Sequence, residues 1–305
     1  MPCASFPGRS LAVALTLVPL LGAPSLASPL EGRLATHGFD AITVPGQPAE
    51  LRLKVERSGW RFWRPDVKDT PVRFTATGST LSARTDRDGV AHASLPGSLA
   101  VGVYPYVAEP EGRSDAAASS RVWVLDPARP LAVVDIDGTL STLPSWLVPF
   151  RGHKAKAYAD SPQLLNELAR THQIVYLTAR DDNLDAKTRA FLALRGFPAG
   201  PVIFNDLGLT TKAERAQLNS KNHGVSKLQA LRKLQALGLT VGLGIGNAAT
   251  DAYAYENAGA PSYIRSDPQA GASIRFATYA ELRLRLIADG ILPGGSGLAG
   301  ALPPP

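Results

Sequence analysis

The sequence predicts an α/β fold, a Rossmann-like parallel sheet, preceded by a small all-β sandwich domain. Between residues 131 and 289, short apolar runs alternate with segments of helical periodicity, which is typical of a parallel sheet covered by helices on both faces. Between residues 28 and 126, apolar residues recur at every second position, as in half-buried antiparallel strands. The chain has 305 residues and 45% hydrophobic residues, enough for two cores.

Residues 1–27 predict a secretory signal peptide. Arg9 is the only charged residue in this stretch, and it precedes an apolar run and a small-residue site that ends at Ala27. The run is short and interrupted by Pro19, so it makes a poor membrane span. A retained amphipathic anchor is the alternative. We therefore expect an exported protein, periplasmic or secreted, after cleavage near Ala27.

The composition excludes several kinds of site. Cys3 is the single cysteine, so a chain cleaved after Ala27 would have no disulfide, thiolate metal site or cysteine nucleophile. Loss of Arg9 would change the formal net charge from +6 to +5, and no basic run is dense enough to indicate a nucleic-acid partner. The five histidines show no zinc-binding spacing.

Residues 28–127 are expected to form an immunoglobulin-like β sandwich, because several short strands follow one another. The expected strands are 51–55, 72–76, 81–83, 90–92, 101–107 and 121–125. Asp88-Gly89 predicts a hairpin turn between the third and fourth of these, and Pro105 predicts an edge strand or a bulge. The run 85–91 resembles a hairpin of bacterial immunoglobulin-like modules.

An aromatic cluster lies inside this region. Trp60, Phe62 and Trp63 are interleaved with Arg61 and Arg64. One interpretation is a loop that enters an anionic membrane interface. The other is a set of side chains that closes one end of the sandwich core.

After a stiff linker at residues 126–130, residues 128–289 are expected to form the α/β domain, followed by a flexible Gly/Pro-rich tail at residues 290–305. The expected strands are 131–134, 173–177, 202–204, 240–246 and 262–264. The expected helices begin at Ser161, Asp185, Lys227, Thr250 and Tyr279. An irregular segment with aromatic and basic residues, 141–160, separates the first strand from the first helix.

Two carboxylates stand where the first of these strands ends. Asp135 and Asp137 are one residue apart, so they are expected to point to the same side. Their repulsion has to be offset, and a hard divalent cation with oxygen ligands would do so. One carboxylate could then attack an electrophile, and the other could exchange a proton with the leaving group.

Further polar residues follow the other strands, at the edge of a parallel sheet where ligands bind. Thr178 follows the second strand, and Asn247 and Asp251 stand four residues apart after the fourth. Asn247 would otherwise only cap a helix, which does not account for Asp251. Lys227, placed at a helix start, is the preferred cation. Its rivals are Lys212 and Lys221.

The run DIDGT from Asp135 to Thr139 resembles the first motif of the haloacid-dehalogenase superfamily, and Thr178, Lys227 and residues 246–251 resemble its other three. Segments 176–180, 188–189, 200–202 and 246–255 are similar to lipin-type phosphatidate phosphatases, and 196–201 to the actin-patch type. The likeness covers residues 131–266. The resemblance implies the haloacid-dehalogenase fold and a phosphatase that works through an aspartyl-phosphate.

The resemblance also implies a role for each matching residue. Asp135 would be the nucleophile and Asp137 the general acid and base, while Thr178 and Lys227 hold phosphoryl oxygens. Mg²⁺ would be held by Asp135, the backbone carbonyl of Asp137, Asn247 and Asp251. The expected substrate contacts are Gly138, Thr139 and Arg180. Arg180 is equally compatible with a structural ion pair.

Three functions stay open at this point. The first is a Mg²⁺-dependent phosphatase for phosphatidate or a similar lipid phosphate, with possible peripheral membrane contact through the segment 141–156. The second is an exported phosphatase for soluble phosphomonoesters, in which the same segment would cover the pocket. The third is a phosphatidate-binding module without catalysis, which the presence of both Asp135 and Asp137 disfavours.

Overall fold

The computed structural model describes residues 33–58, 64–143, 154–205, 220–265 and 272–294, with no side-chain description for residues 220–222. Several sequence predictions lie outside these ranges: the signal peptide, most of the aromatic cluster, Lys212, residues 144–153 of the irregular segment and most of the tail. No helix in the described ranges has the length and apolar character needed to cross a bilayer.

The first part of the described chain is a β sandwich. Its strands are β1 (Leu34–Gly38), β2 (Ala41–Thr43), β3 (Ala49–Arg57), β4 (Pro71–Ala76), β5 (Ser79–Arg84), β6 (Val90–Leu95), β7 (Gly102–Pro110) and β8 (Ala118–Val124). A three-stranded antiparallel sheet has the order β1-β3-β6, and a five-stranded sheet has the order β2-β8-β7-β4-β5. In the second sheet β2 runs parallel to β8.

The core of the sandwich follows the period of two that the sequence shows. Leu51, Leu53 and Val55 of β3 and Val72 and Phe74 of β4 are fully buried between the sheets. Burial of each such side chain stabilises the fold by about 1.5–3 kcal/mol. The alternation therefore predicted correctly which residues of these two strands face the core.

The predicted hairpin at Asp88-Gly89 is confirmed at its turn, which the antiparallel bridge between Thr85 and Ala91 closes, but the predicted pairing of the flanking strands is wrong. The turn exists, with Gly89 at φ 72°, but β5 pairs with β4 and β6 pairs with β3, so the turn connects the two sheets. The Asp86 carboxylate shapes this turn by accepting from the N–H groups of Asp88 and Val90. The hairpin partner of β5 is β4, which it joins through the positive-φ pair Thr77-Gly78.

The prediction that Pro105 marks an edge strand is also wrong, because β7 lies inside its sheet between β8 and β4. Pro105 is opposite Arg121 of β8, whereas the pairing with β4 ends one residue away, at Tyr106 opposite Ala76. The missing proline N–H therefore falls where β4 has already ended.

The second part is a six-stranded parallel sheet with helices. Its strands are β9 (Leu131–Val134), β10 (Gln173–Asp181), β11 (Val202–Asn205), β12 (Val241–Gly246), β13 (Ser262–Arg265) and β14 (Ile274–Phe276). Its helices are α1 (Ser161–Leu168), α2 (Asp185–Leu194), α3 (Ser220–Ala236), α4 (Ala249–Asn257) and α5 (Tyr279–Ala288). The strand order is β11-β10-β9-β12-β13-β14. The chain thus adds β10 and β11 on one side of β9 and then adds β12, β13 and β14 on its other side. This is the Rossmann-like order, and ligands bind beside such a switch point. The predicted fold class is confirmed.

Two predicted elements differ from the structure in ways that concern the site. Helix α3 begins at Ser220, so Lys227 lies inside the helix and not at its start. Strand β10 continues to Asp181, so Thr178 and Arg180 belong to the strand itself. The short strand β14 was not predicted.

The sandwich and the parallel sheet are packed together. Trp123 and Leu125 share an apolar cluster with Leu131 and Val133 of β9. The Gln173 amide holds the linker by donating to the carbonyls of Asp126 and Arg129. The domain limits 28–127 and 128–289 remain predictions.

Candidate active site

Strand β9 places Asp135 at the centre of the parallel sheet. All four residues of the strand are buried between β10 and β12, and the Asp135 N–H continues the ladder by donating to the Ile245 carbonyl at 2.9 Å. The Asp135 residue is only 4% exposed. Burial raises the pKa of Asp135 above its ordinary value, Lys227 opposes this rise, and Asp251 and Asp137 add to it.

Lys227 is the cation in contact with Asp135. Its Nζ lies 2.6 Å from Asp135 Oδ1 and 2.5 Å from Asp251 Oδ1, and its side chain is 6% exposed. Burial opposes the charge of Lys227, but the two carboxylates outweigh it and raise the pKa of the ammonium group. The side chain of the rival Lys221 is not described.

Asp137 has a different partner from Asp135. Arg180 donates from Nε to Asp137 Oδ2 at 2.9 Å and from Nη2 to Asp137 Oδ1 at 2.8 Å. The Arg180 side chain is 2% exposed, and its Nη1 donates to Thr188 of α2. The structure thus contains the ion pair that was one alternative for Arg180. It also shows that protein cations offset the two carboxylates separately, where the sequence argument relied on a metal ion.

The loop after Asp135 carries the Thr139 hydroxyl, which contacts two oxygen acceptors. Thr139 Oγ1 lies 2.9 Å from Asp135 Oδ2 and 3.1 Å from Asn247 Oδ1. Gly138 has φ 75°, and a Cβ there would lie 2.3 Å from Asn247 Nδ2, so the close approach of this loop to Asn247 requires glycine.

Asp251 occupies the first turn of α4. Its Oδ2 accepts from the backbone N–H groups of Asn247 and Ala248 at 3.0 and 3.1 Å, while its Oδ1 accepts from Lys227. Asp251, and not Asn247, therefore satisfies the helix start. Three accepted hydrogen bonds leave a carboxylate with lone-pair capacity to spare, so the predicted role of Asp251 as a metal ligand stays a prediction.

The remaining predicted residue, Thr178, lies on the same side of the sheet. It is 2% exposed, and its Oγ1 accepts from the Arg180 N–H at 3.2 Å. It lines a small cavity together with Lys227, Asn205 and His223. Neither Asp135 nor Asp137 lines this cavity, so the predicted role of Thr178 and Lys227 as phosphate-binding groups stays a prediction.

The donor set can be compared with what Mg²⁺ requires. Among the described residues, no group of three or more His, Cys, Asp or Glu side chains is arranged to hold a metal ion. The expected set, however, includes an amide and a backbone carbonyl. Thr139 Oγ1 contacts both Asp135 Oδ2 and Asn247 Oδ1 but has only one proton to donate. The hydroxyl therefore donates to one of these two neighbouring oxygens at a time. Asp135, Asn247 and the carbonyl of Asp137 fit a hard cation.

The sequence argument missed two residues that hold the loop after Asp135. Arg265 Nη1 donates to the Gly138 carbonyl at 3.2 Å, and its guanidinium lies 3.6 Å from the centre of the Tyr158 ring. The Tyr279 hydroxyl donates to the Thr139 carbonyl at 2.7 Å. Arg265 ends β13 at the same edge of the sheet as Asp135, so its position in the strand pattern was the available signal.

Comparison with known proteins gives one family match. Residues 132–264, less than half of the chain, match the family model described as the LNS2 domain of PITM 1-3. No curated protein matches the chain.

Solved structures resemble parts of the chain. A D,D-heptose 1.7-bisphosphate phosphatase from B. bronchiseptica, complexed with magnesium and phosphate, is 13% identical with a TM-score of 0.40 over 52% of this chain and 99% of that one. A Mesorhizobium loti protein described as a HAD-like phosphatase is 16% identical with a TM-score of 0.42 over 64% of this chain and 96% of that one. Similarities this low do not establish a shared activity.

Proposed function

We propose that this protein is a Mg²⁺-dependent phosphatase that hydrolyses a phosphomonoester through an aspartyl-phosphate on Asp135. The observation that carries the proposal is the pair of carboxylates after β9, each held by its own buried cation. Two neighbouring carboxyl groups in different surroundings suit two different roles, a nucleophile and a proton-transfer group. The match of residues 132–264 to the LNS2 domain model supports the same assignment.

In the first step an Asp135 oxygen attacks phosphorus and the ester P–O bond breaks. The leaving oxygen takes a proton from Asp137. A proton on Asp137 competes with the Arg180 N–H groups for the lone pairs of the carboxyl oxygens, so we expect the Arg180 contacts to weaken during this transfer. Lys227 and the Thr178 hydroxyl hold phosphoryl oxygens on the way.

In the second step water attacks the aspartyl-phosphate and Asp137 accepts its proton, so that phosphate leaves and Asp135 is restored. When bound by Asp135, Asn247, Asp251 and the Asp137 carbonyl, Mg²⁺ would supply positive charge against the phosphoryl oxygens. Without it, Asp135 and Asp251 share the single charge of Lys227, and one negative charge remains uncompensated at the site.

The proposed substrate class is phosphatidate or a related lipid phosphate. Its support is the similarity of residues 176–180 and 246–255 to lipin-type enzymes and the match to the LNS2 domain model. The predicted export signal favours a substrate outside the cytoplasm, and a soluble phosphomonoester there is the alternative within the same chemistry.

The decisive experiment measures phosphate release with Mg²⁺ from phosphatidate vesicles and from a water-soluble phosphomonoester. We expect faster release from vesicles, and equal rates would favour a soluble substrate. Asp135→Asn should lower the rate by about 10⁴-fold or more because the nucleophile is lost, while its circular dichroism stays that of the wild type. Undiminished turnover by this variant would remove the nucleophile assignment.

A second candidate function, binding of a phosphate group without turnover, is favoured by one specific observation. Arg180 engages both oxygens of Asp137, so the proton-transfer group is closed in this structure. A binding module would sediment with phosphatidate vesicles in the presence of Mg²⁺ and release no phosphate. The enzyme would release phosphate catalytically, over many turnovers per chain.

A further inference from the structure

The segment that carries Arg180 is held from the sandwich side. After Arg180, the chain continues through Asp181, the last residue of β10, into a 3-10 turn over Asp182–Leu184. Lys54 Nζ, on β3 of the sandwich, lies 3.7 Å from Asp182 Oδ2, and both side chains are 3% exposed. A buried cation of one layer thus faces the residue two positions after the arginine that pairs with Asp137.

Lys54 lies in a cluster of buried and partly buried carboxyl groups. Glu56, Asp181 and Asp182 are carboxylates of this cluster, and Arg64 reaches its border, 3.7 Å from Glu56 and with 37% of its side chain exposed. Burial raises the pKa of Glu56 to about 7, and Lys54 and Arg64 lower it. Burial and the neighbouring Asp182 raise the pKa of Asp181 to about 8, against the effect of Lys54. Lys54 is therefore a buried cation beside several carboxyl groups, and its charge favours their ionised form.

A short series of contacts connects this cluster to Asp137. Asp181 accepts from the Asn183 N–H at 3.0 Å and so fixes the turn, while Arg180 is held between Thr188 and Asp137. Displacement of the turn at Asp182 would move the Arg180 backbone, since only Asp181 lies between them. The sandwich also holds α2 through Asp40, which accepts from Arg189 at 2.9 Å.

We propose that Lys54 is a positioning residue for the phosphatase site, acting through Asp182 on Arg180 and thereby on Asp137. The sandwich is then part of the catalytic apparatus and not a separately working module. This inference rests on the proposed function. It predicts that a substitution on the sandwich changes the chemical step while leaving substrate binding nearly intact.

The test compares Lys54→Met with Lys54→Arg, which keeps the charge, and with Lys68→Met, which makes the same change at an exposed position of the sandwich. We expect Lys54→Met to lower kcat by about tenfold or more, with KM changed by less than about threefold, because a small displacement of a catalytic group costs rate more than binding. Lys54→Arg should recover most of kcat, and Lys68→Met should behave as the wild type. A folded Lys54→Met variant with wild-type kcat would overturn the proposal, and so would equal losses in Lys54→Met and Lys54→Arg.

A crystal structure of Lys54→Met gives a readout that does not need activity. The proposal expects the Arg180 guanidinium to have left at least one Asp137 oxygen, and retention of both contacts would overturn it. If Lys54→Met does not fold, Asp182→Asn replaces it with the same expectations. If the wild type releases no phosphate from any phosphomonoester, the proposed function is wrong, but the structure of the variant still decides whether Lys54 positions Arg180.

Discussion

Two buried lysines, Lys227 in the candidate active site and Lys54 at the interface with the sandwich, show different ways of holding carboxylates. Lys227 lies within 2.6 Å of one oxygen from each of two carboxylates. Lys54 lies 3.7 Å from its carboxylate, in a cluster where Asp181 and Glu56 have raised pKa values. The first centre is held by close contacts and the second by a longer one, while both contain a carboxyl group with a raised pKa, which in the first is Asp135.

The two lysines differ in the origin of their partners. Lys227 lies on α3, Asp135 follows β9 and Asp251 lies on α4, so this centre forms within the α/β domain. Lys54 is on the sandwich, whereas Asp181 and Asp182 are on the parallel-sheet side. Short ionic contacts also occur across this interface, since Arg189 and Asp40 are 2.9 Å apart, so the 3.7 Å distance belongs to the Lys54 cluster and not to the interface as a whole.

The largest expected effect on stability is that of Lys227→Met. It leaves Asp135 and Asp251 buried without their cation, and breaking a buried pair in this way costs about 3–5 kcal/mol. Urea unfolding at pH 7 measures the loss, and phosphate release should disappear with it.

Lys54→Met is the matched substitution at the second centre. It should cost less, about 1–2 kcal/mol, because Lys54 lies 3.7 Å from Asp182, whereas Lys227 lies within 2.6 Å of two carboxylates. If both variants lose the same free energy of unfolding, the contrast between the two centres is wrong.

The pH dependence of stability sharpens the comparison. Asp181 and Glu56 have ordinary pKa values of 3.8 and 4.5 and values of about 8 and about 7 in the folded protein. The folded state therefore binds more protons than the unfolded state between these limits, so their contribution is complete below about pH 4 and is lost as the pH rises towards 8. We expect the free energy of unfolding to fall by on the order of 2 kcal/mol between about pH 5 and pH 8.

The control for this prediction is the double variant Glu56→Gln, Asp181→Asn, which removes both titrating groups and keeps the acceptor oxygen that serves Asn183. Its stability should depend less on pH than that of the wild type over the same interval. An unchanged slope would show that other groups carry the pH dependence.

The smallest effect is expected for an ion pair outside both centres. Arg283 donates to both oxygens of Glu167 at 2.7 and 2.9 Å, but its side chain is 36% exposed. Arg283→Met should lower the free energy of unfolding by less than about 1 kcal/mol, since exposed pairs are screened by water. A loss as large as that of Lys54→Met would show that burial does not separate these pairs.

Much of the fold could be predicted because it depends on local pattern. The alternation in β3 and β4 predicted the buried side chains, and the helix over Asp185–Leu194 begins and ends as predicted. The turn at Asp88-Gly89 was predicted too, but the strands on either side of it do not pair with each other as predicted. Turn residues encode the local bend, whereas the choice of pairing partner depends on which sheet can bury the next strand.

The sequence by itself determined the apolar strands, the order of the polar residues that follow them and the acidic pair at the end of β9. Only the tertiary structure decided which cation meets which carboxylate, that Asp251 serves the helix start and Lys227, and that the polar side of β3 at Lys54 and Glu56 is buried. The physical reason is that periodicity describes a single element and its two faces, whereas charge pairing depends on a second element distant in the chain. In the sequence Lys54 stands between two apolar residues, as a solvent-exposed lysine of a strand does. It is buried because another layer packs against that face of β3.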